Sequence, residues 1–316
     1  MSSALPGDAL VPATSYTILA AITVSALALA ALMAATGIGL SVAVSGFVTV
    51  VLPIAALSAC RIALRAAASP ACRQFADFCG HMVAFMAICL IGVLASYPAA
   101  AETTGFYDPQ LARADHLLHF DWVFWYRQVS EHRALQLIGS ATYAAIYISP
   151  VLLLAHFARA QESHAACRFL LSFWLAALLT IVLFPLFPAE GPLAFLWHGP
   201  IPYMPTSALY QEQLIPALRT HQLQAIDLGA LRGLVCAPSF HAAAGVIYIA
   251  TAWPIARLRW PLGILNLLML AATPIEGTHY LVDLIAGAMV AAIALAVVAA
   301  LTRPQLRRDQ GRPTLA

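Results

Sequence analysis

The sequence predicts an all-α fold, a polytopic membrane helix bundle of about eight transmembrane helices. Three observations predict it. Of 316 residues, 62% are hydrophobic and only 9% charged, with a mean hydropathy of +0.83. That leaves too little polar surface to cover a water-soluble domain. The apolar residues gather into eight runs, each near the roughly 20 residues that cross a hydrocarbon core about 30 Å thick. The arginines are divided unequally between alternate loops.

In chain order the spans are expected at residues 15–36, 39–60, 75–97, 134–157, 167–187, 239–256, 259–275 and 278–301. Met1 to Tyr16 has no basic n-region, so the first run is expected to be a retained span rather than a cleaved signal. Residues 1–74 form two N-terminal helices, 75–302 the main membrane domain and 303–316 a basic tail. Two outer segments are too long for plain connections. The first, Pro98 to His132, mixes acids with Trp122, Phe124, Trp125 and Tyr126, as a helix at the membrane interface would. Its stripe Trp122, Trp125 and Tyr126 reads as a bilayer anchor. The second, Pro188 to Ala237, opens on Phe187-Pro188-Ala189-Glu190-Gly191-Pro192, which excludes a regular helix. Gln211 to Ala225 fits a short amphipathic helix. The two segments read equally as a cap over an outer site and as interfacial packing.

With a cytoplasmic N-terminus, the inside loops hold Arg61, Arg65, Arg73, Arg159, Arg168, Arg257, Arg259, Arg303, Arg307, Arg308 and Arg312. The outside loops hold Arg113, Arg127, Arg133, Arg219 and Arg232. Eleven against five is a positive-inside bias, which places both termini in the cytoplasm. There is no lysine, and a net charge of +2 gives no basis for a nucleic-acid partner. Six cysteines without a CxxC pair read as free thiols, mostly buried. The acids show no metal-ligand spacing, so no metal or other cofactor is expected. Nothing in the sequence specifies an oligomeric state.

Chemistry concentrates at the end predicted to be outer. Glu276-Gly277-Thr278-His279-Tyr280-Leu281-Val282-Asp283 sets a histidine and an aspartate at i and i+4, one helical turn apart. Pro238-Ser239-Phe240-His241 opens the preceding pair of spans, with Pro238 and Ser239 placed to start a helix. The two histidines are 38 residues apart, about 57 Å of helix at roughly 1.5 Å per residue. That path is one crossing and one return, so a helical hairpin brings His241 and His279 to the same face. His81, His156 and His164 read as packing residues. His116 and His119 fit an interfacial face or a headgroup contact. Glu190 and Glu276 fit cap or loop roles. A non-catalytic transporter would put its polar groups at mid-membrane depth, whereas these lie at one end, which favours an enzyme.

Pro-Ser-x-His followed two spans later by His-x-x-x-Asp resembles the type 2 phosphatidic acid phosphatase superfamily. Asp115 to Trp122, the stretch 187–192 and Gly277-Thr278-His279-Tyr280 are similar to its branch that includes fungal inositol phosphorylceramide synthases and many bacterial proteins. The resemblance covers roughly residues 95–300 and implies a six-helix core in a bacterial inner membrane. It implies that His279 attacks phosphorus and becomes a phosphohistidine, that Asp283 orients it, that His241 protonates the leaving alkoxide and that Ser239 binds a phosphate oxygen. The implied substrate is a membrane lipid phosphate ester, hydrolysed or passed to an alcohol as in a head-group transferase. The superfamily's Lys/Arg motif is absent here, and Thr273 stands where an arginine is usual. Arg232 is therefore the first candidate for the phosphate-binding cation and Arg219 the second.

Overall fold

The computed structural model describes residues 13–310, with side chains over residues 16–302. The basic tail and the stretch Met1 to Pro12 lie outside the described side chains. In order, the helices are α1 (Ala13–Thr36), α2 (Val44–Leu64), α3 (Pro70–Ala101), α4 (Asp108–Leu117), α5 (Trp122–Glu131) and α6 (Arg133–Ala160). They continue as α7 (Ser163–Leu183), α8 (Pro192–Leu196), α9 (Tyr210–Arg219), α10 (Phe240–Ala252), α11 (Arg259–Glu276) and α12 (Leu281–Gln310). Two short strands, β1 (Gly39–Ser41) and β2 (Ala225–Asp227), pair in parallel.

The chain is a helical membrane bundle. Among the described residues six helices, α1, α2, α3, α6, α7 and α12, are long and apolar enough to cross a bilayer, two fewer than the runs read from sequence. The other two expected spans form a shorter hairpin. With 13 residues, α10 is about 20 Å long, short of a full crossing. It stops at Ala252 because Pro254, two residues on, has no N–H to donate to Ala250 O and continue the ladder. At its other end the capping residue Ser239 is fully buried, so α10 begins below the surface. It packs on α6, α7, α11 and α12, so protein rather than lipid surrounds it. α3 runs through Pro98, which removes only one hydrogen bond near the helix end.

The core is built on one aromatic stack. Phe85 of α3 and Phe173 of α7 lie 4.8 Å apart between ring centroids, and Tyr248 of α10 stacks on Phe173 at 6.0 Å. Leu153, Leu154 and Phe169 fill the space around them. The N-terminal pair is sewn to this body. Trp174 Nε1 donates to Ser25 Oγ at 2.9 Å, and β1 pairs with the second outer segment through Gly39 and Ala225. Chain directions alternate through the bundle. Arg61, Arg65, Arg73, Arg159, Arg168, Arg257 and Arg259 therefore fall at one end, and the two long outer segments at the other.

The aromatic stripe on α5 is not wholly a bilayer anchor. Trp122 and Tyr126, at i and i+4, turn inward and stack at 5.1 Å. Trp122 Nε1 donates to Pro274 O at 2.8 Å and Tyr126 O–H to Tyr203 O at 2.6 Å. Their polar tips need buried acceptors, which the outer loop and α11 supply. Phe124 and Trp125 face outward.

Candidate active site

The site forms where the N-terminal ends of α10 and α12 meet. A Cβ on Gly287 of α12 would lie 2.2 Å from Ser239 O, so glycine is what admits this approach. Ser239 N–H donates to Asp283 O at 3.0 Å, locking the two ends in register. Ser239 Oγ accepts from Ala242 N–H at 3.3 Å, so this side chain caps α10.

His279 and Asp283 come together differently from the helical turn read in the sequence. α12 starts only at Leu281, and Thr278 adopts a left-handed backbone with φ of 50°. His279 therefore lies in the turn before the helix. Asp283, in the first helical turn, reaches back to accept from Tyr280 N–H at 3.0 Å through Oδ2. The same oxygen is 3.5 Å from His279 Nδ1 and accepts from Cys236 Sγ at 3.3 Å. His279, Asp283 and Cys236 are all buried. Burial, reinforced by the Asp283 and Asp108 carboxylates, holds the Cys236 thiol well above its ordinary range. Cys236, His279 and Asp283 form the one donor group among the described residues compact enough to share a metal ion. In its neutral form the Cys236 thiol is a hydrogen-bond donor to Asp283 Oδ2.

His241 stands across from this pair, its ring centroid 6.5 Å from that of His279. Tyr143 of α6 stacks on His241 at 4.3 Å and places its hydroxyl 3.3 Å from Nδ1. Both histidines line a cavity of about 380 Å³, within the size range of small-molecule sites. Phe85, Ile88, Val93, Phe173 and Ile181 make its wall apolar on the bundle side, and Thr206, Ser207, Tyr210 and Gln211 make it polar on the loop side.

Arg232 lines the same cavity, with its guanidinium 4.5 Å over the Tyr210 ring. Arg219 is engaged elsewhere. It donates to Thr103 Oγ1 at 2.8 Å and Gly105 O at 2.7 Å, and lies 4.4 Å over Phe106. Thr273 is fully buried and bonds to Met269 O. Of the two cations considered for a bound phosphate, only Arg232 faces the cavity.

Buried acids hold the histidine turn from outside. Asp108 accepts from Glu190 N–H and Gly191 N–H at 2.9 Å, and from the Tyr280 hydroxyl at 2.9 Å. Asp115 accepts from Leu281 N–H at 2.8 Å and Val282 N–H at 2.9 Å, capping α12 from another helix. Burial pushes the Asp115 carboxyl up to about 6, against the pull of those two donors. Gly191 has φ of 97°, and a Cβ there would lie 2.9 Å from Thr278 O, so the stretch 187–192 presses directly on the turn. Glu276 accepts from the Tyr203 hydroxyl at 2.6 Å and the Thr206 hydroxyl at 2.7 Å, a loop-anchoring role.

A family model described as the PAP2 superfamily matches residues 109–297. The chain belongs to the PAP2 superfamily. Members of that superfamily are usually phosphatases or phosphotransferases. No curated protein and no solved structure matches the chain. The matched region runs from α4 through most of α12, taking in both histidines, Asp283, Arg232 and Asp115. Tyr143, Cys236 and Asp108 were not legible as site residues. Tyr143 sits in an apolar run like any other tyrosine, and Cys236 is 43 residues from His279.

Proposed function

We propose that this chain transfers the phosphoryl group of a lipid-linked phosphate ester through a phosphohistidine on His279, on the outer face of a bacterial inner membrane. The observation that carries this reading is the facing pair of imidazoles, each held at Nδ1, lining a cavity that is polar on one side and apolar on the other. Asp283 occupies the Nδ1 side of His279, so Nε2 is the nitrogen left to attack phosphorus. Tyr143 occupies Nδ1 of His241, so its Nε2 exchanges the proton.

In the first step a bond forms between His279 Nε2 and phosphorus while the bond to the leaving oxygen breaks, and that oxygen takes a proton from His241. In the second, His241 takes a proton from water or an alcohol, whose oxygen attacks phosphorus and releases His279. Arg232 and the N-terminus of α10 supply positive potential to the phosphate oxygens. The apolar wall suits the first methylenes of a lipid chain. A head-group transferase of the inositol phosphorylceramide type follows the same two steps with an alcohol in place of water.

Rapid quench with a radiolabelled lipid phosphate tests this. Acid-labile label is expected on the protein and is lost in His279→Ala. Label that persists in His279→Ala would overturn the assignment.

A further inference from the structure

We propose that the cavity contains a second polar subsite, beside the phosphate position, where Gln211 accepts a hydrogen bond from a substrate hydroxyl. This rests on the phosphohistidine reading and specifies its substrate. Gln211 lies in the first turn of α9, is 3% exposed and lines the same cavity as His241, His279 and Arg232. Its Oε1 is buried with no hydrogen-bond partner among the described residues. A buried amide oxygen without a partner lowers stability, and a ligand donor removes that penalty.

The donor has a restricted identity. Phosphate oxygens already carry the charge that Arg232 faces and are acceptors, and a hydrocarbon chain has no donor at all. An ammonium group would meet the Arg232 guanidinium across the same cavity and be repelled. An uncharged hydroxyl remains, taking the place of water at this oxygen when substrate binds. Thr206, Ser207 and Tyr210 line the same side, giving a hydroxylated group further exchangeable partners. The hydroxyl belongs either to the lipid's own head group or to an alcohol that accepts the phosphoryl group.

The test compares full-length wild type with Gln211→Met in detergent. One substrate is a long-chain alkyl phosphate without hydroxyls, and the other is the same chain esterified to glycerol phosphate. A third arm adds glycerol to the bare alkyl phosphate and measures the ratio of transfer to hydrolysis. A head-group hydroxyl predicts that Gln211→Met loses at least about tenfold more kcat/KM on the glycerol ester than on the bare phosphate. An acceptor hydroxyl predicts a drop of at least about tenfold in the transfer ratio instead. Gln211→Glu keeps an acceptor oxygen and is expected to retain the wild-type ratios. Gln211→Met is expected to melt no lower than wild type, since it removes an unpaired buried oxygen. Equal losses in all arms, no loss in any, or a lower melting temperature would each overturn the subsite. Absence of labelled phosphoenzyme in wild type with the bare phosphate would instead remove the phosphohistidine reading, and the subsite with it.

Discussion

At the scale of single residues, one carboxylate oxygen organises the dyad. Asp283 Oδ2 meets His279 Nδ1, Cys236 Sγ and Tyr280 N–H together. Asp283→Asn replaces one oxygen by a donor and lets the imidazole take the wrong tautomer. Turnover is expected to fall by a factor on the order of 10⁴ while the protein still folds, as in other imidazole–carboxylate pairs. A steady-state assay beside a thermal melt checks both halves. His241→Ala removes the leaving-group proton, so a nitrophenyl ester, which leaves without one, is expected to lose far less rate than an alkyl ester. The two arginines separate in the same way. Arg232→Ala is expected to lower turnover with little change in melting temperature, since its guanidinium faces the cavity. Arg219→Ala is expected to do the reverse, because it ties Thr103 and Gly105 together. The residues legible in the sequence were those whose chemistry recurs in a short motif. Tyr143 and Cys236 acquire their meaning only from neighbours 98 and 43 residues away.

At the scale of elements, helix ends and close approaches set the geometry. Gly287 lets α12 pass Ser239, and Gly263 in α11 has nothing within 4 Å of where a Cβ would stand. Gly287→Ala is expected to destabilise by about 1–3 kcal/mol and to cut activity, as forced overpacking does. Gly263→Ala is expected to stabilise by about 0.5–1 kcal/mol through helix propensity alone. Paired melts in one detergent decide it, and matching shifts would refute the close-contact account. Asp115 adds a pH signature. Its folded carboxyl titrates near 6, above the ordinary aspartate value of 3.8, so the folded chain binds that proton more tightly than the unfolded one. Its contribution is full below about pH 4 and falls as pH rises to about 6. Asp115→Asn is expected to flatten the fall of stability across that window while losing one of the two cap bonds. Hydropathy showed where the long helices run. It could not show that α10 is short, because burial inside a bundle and crossing of a bilayer select the same apolar residues.

At the scale of the whole molecule, the charge distribution and the site make one statement about orientation. Arg61, Arg65, Arg73, Arg159, Arg168, Arg257 and Arg259 lie at the end away from the histidines. Positive-inside sorting predicts that His241 and His279 lie on the outer side. The two long segments at the histidine end lie outside the hydrocarbon region on either orientation, since their backbone is irregular and needs water or buried partners. Exposed positions exist at both ends for a direct test: Gln213 on α9, beside the cavity, and Glu162 in the turn between α6 and α7. The native thiols Cys60, Cys72 and Cys89 are accessible enough to compete and are first changed to serine. Gln213→Cys is then expected to react with a membrane-impermeant maleimide on intact spheroplasts. Glu162→Cys is expected to react only after permeabilisation. The reverse pattern would put the cavity on the cytoplasmic side, and the phosphate ester would then have to reach His279 from the inner leaflet.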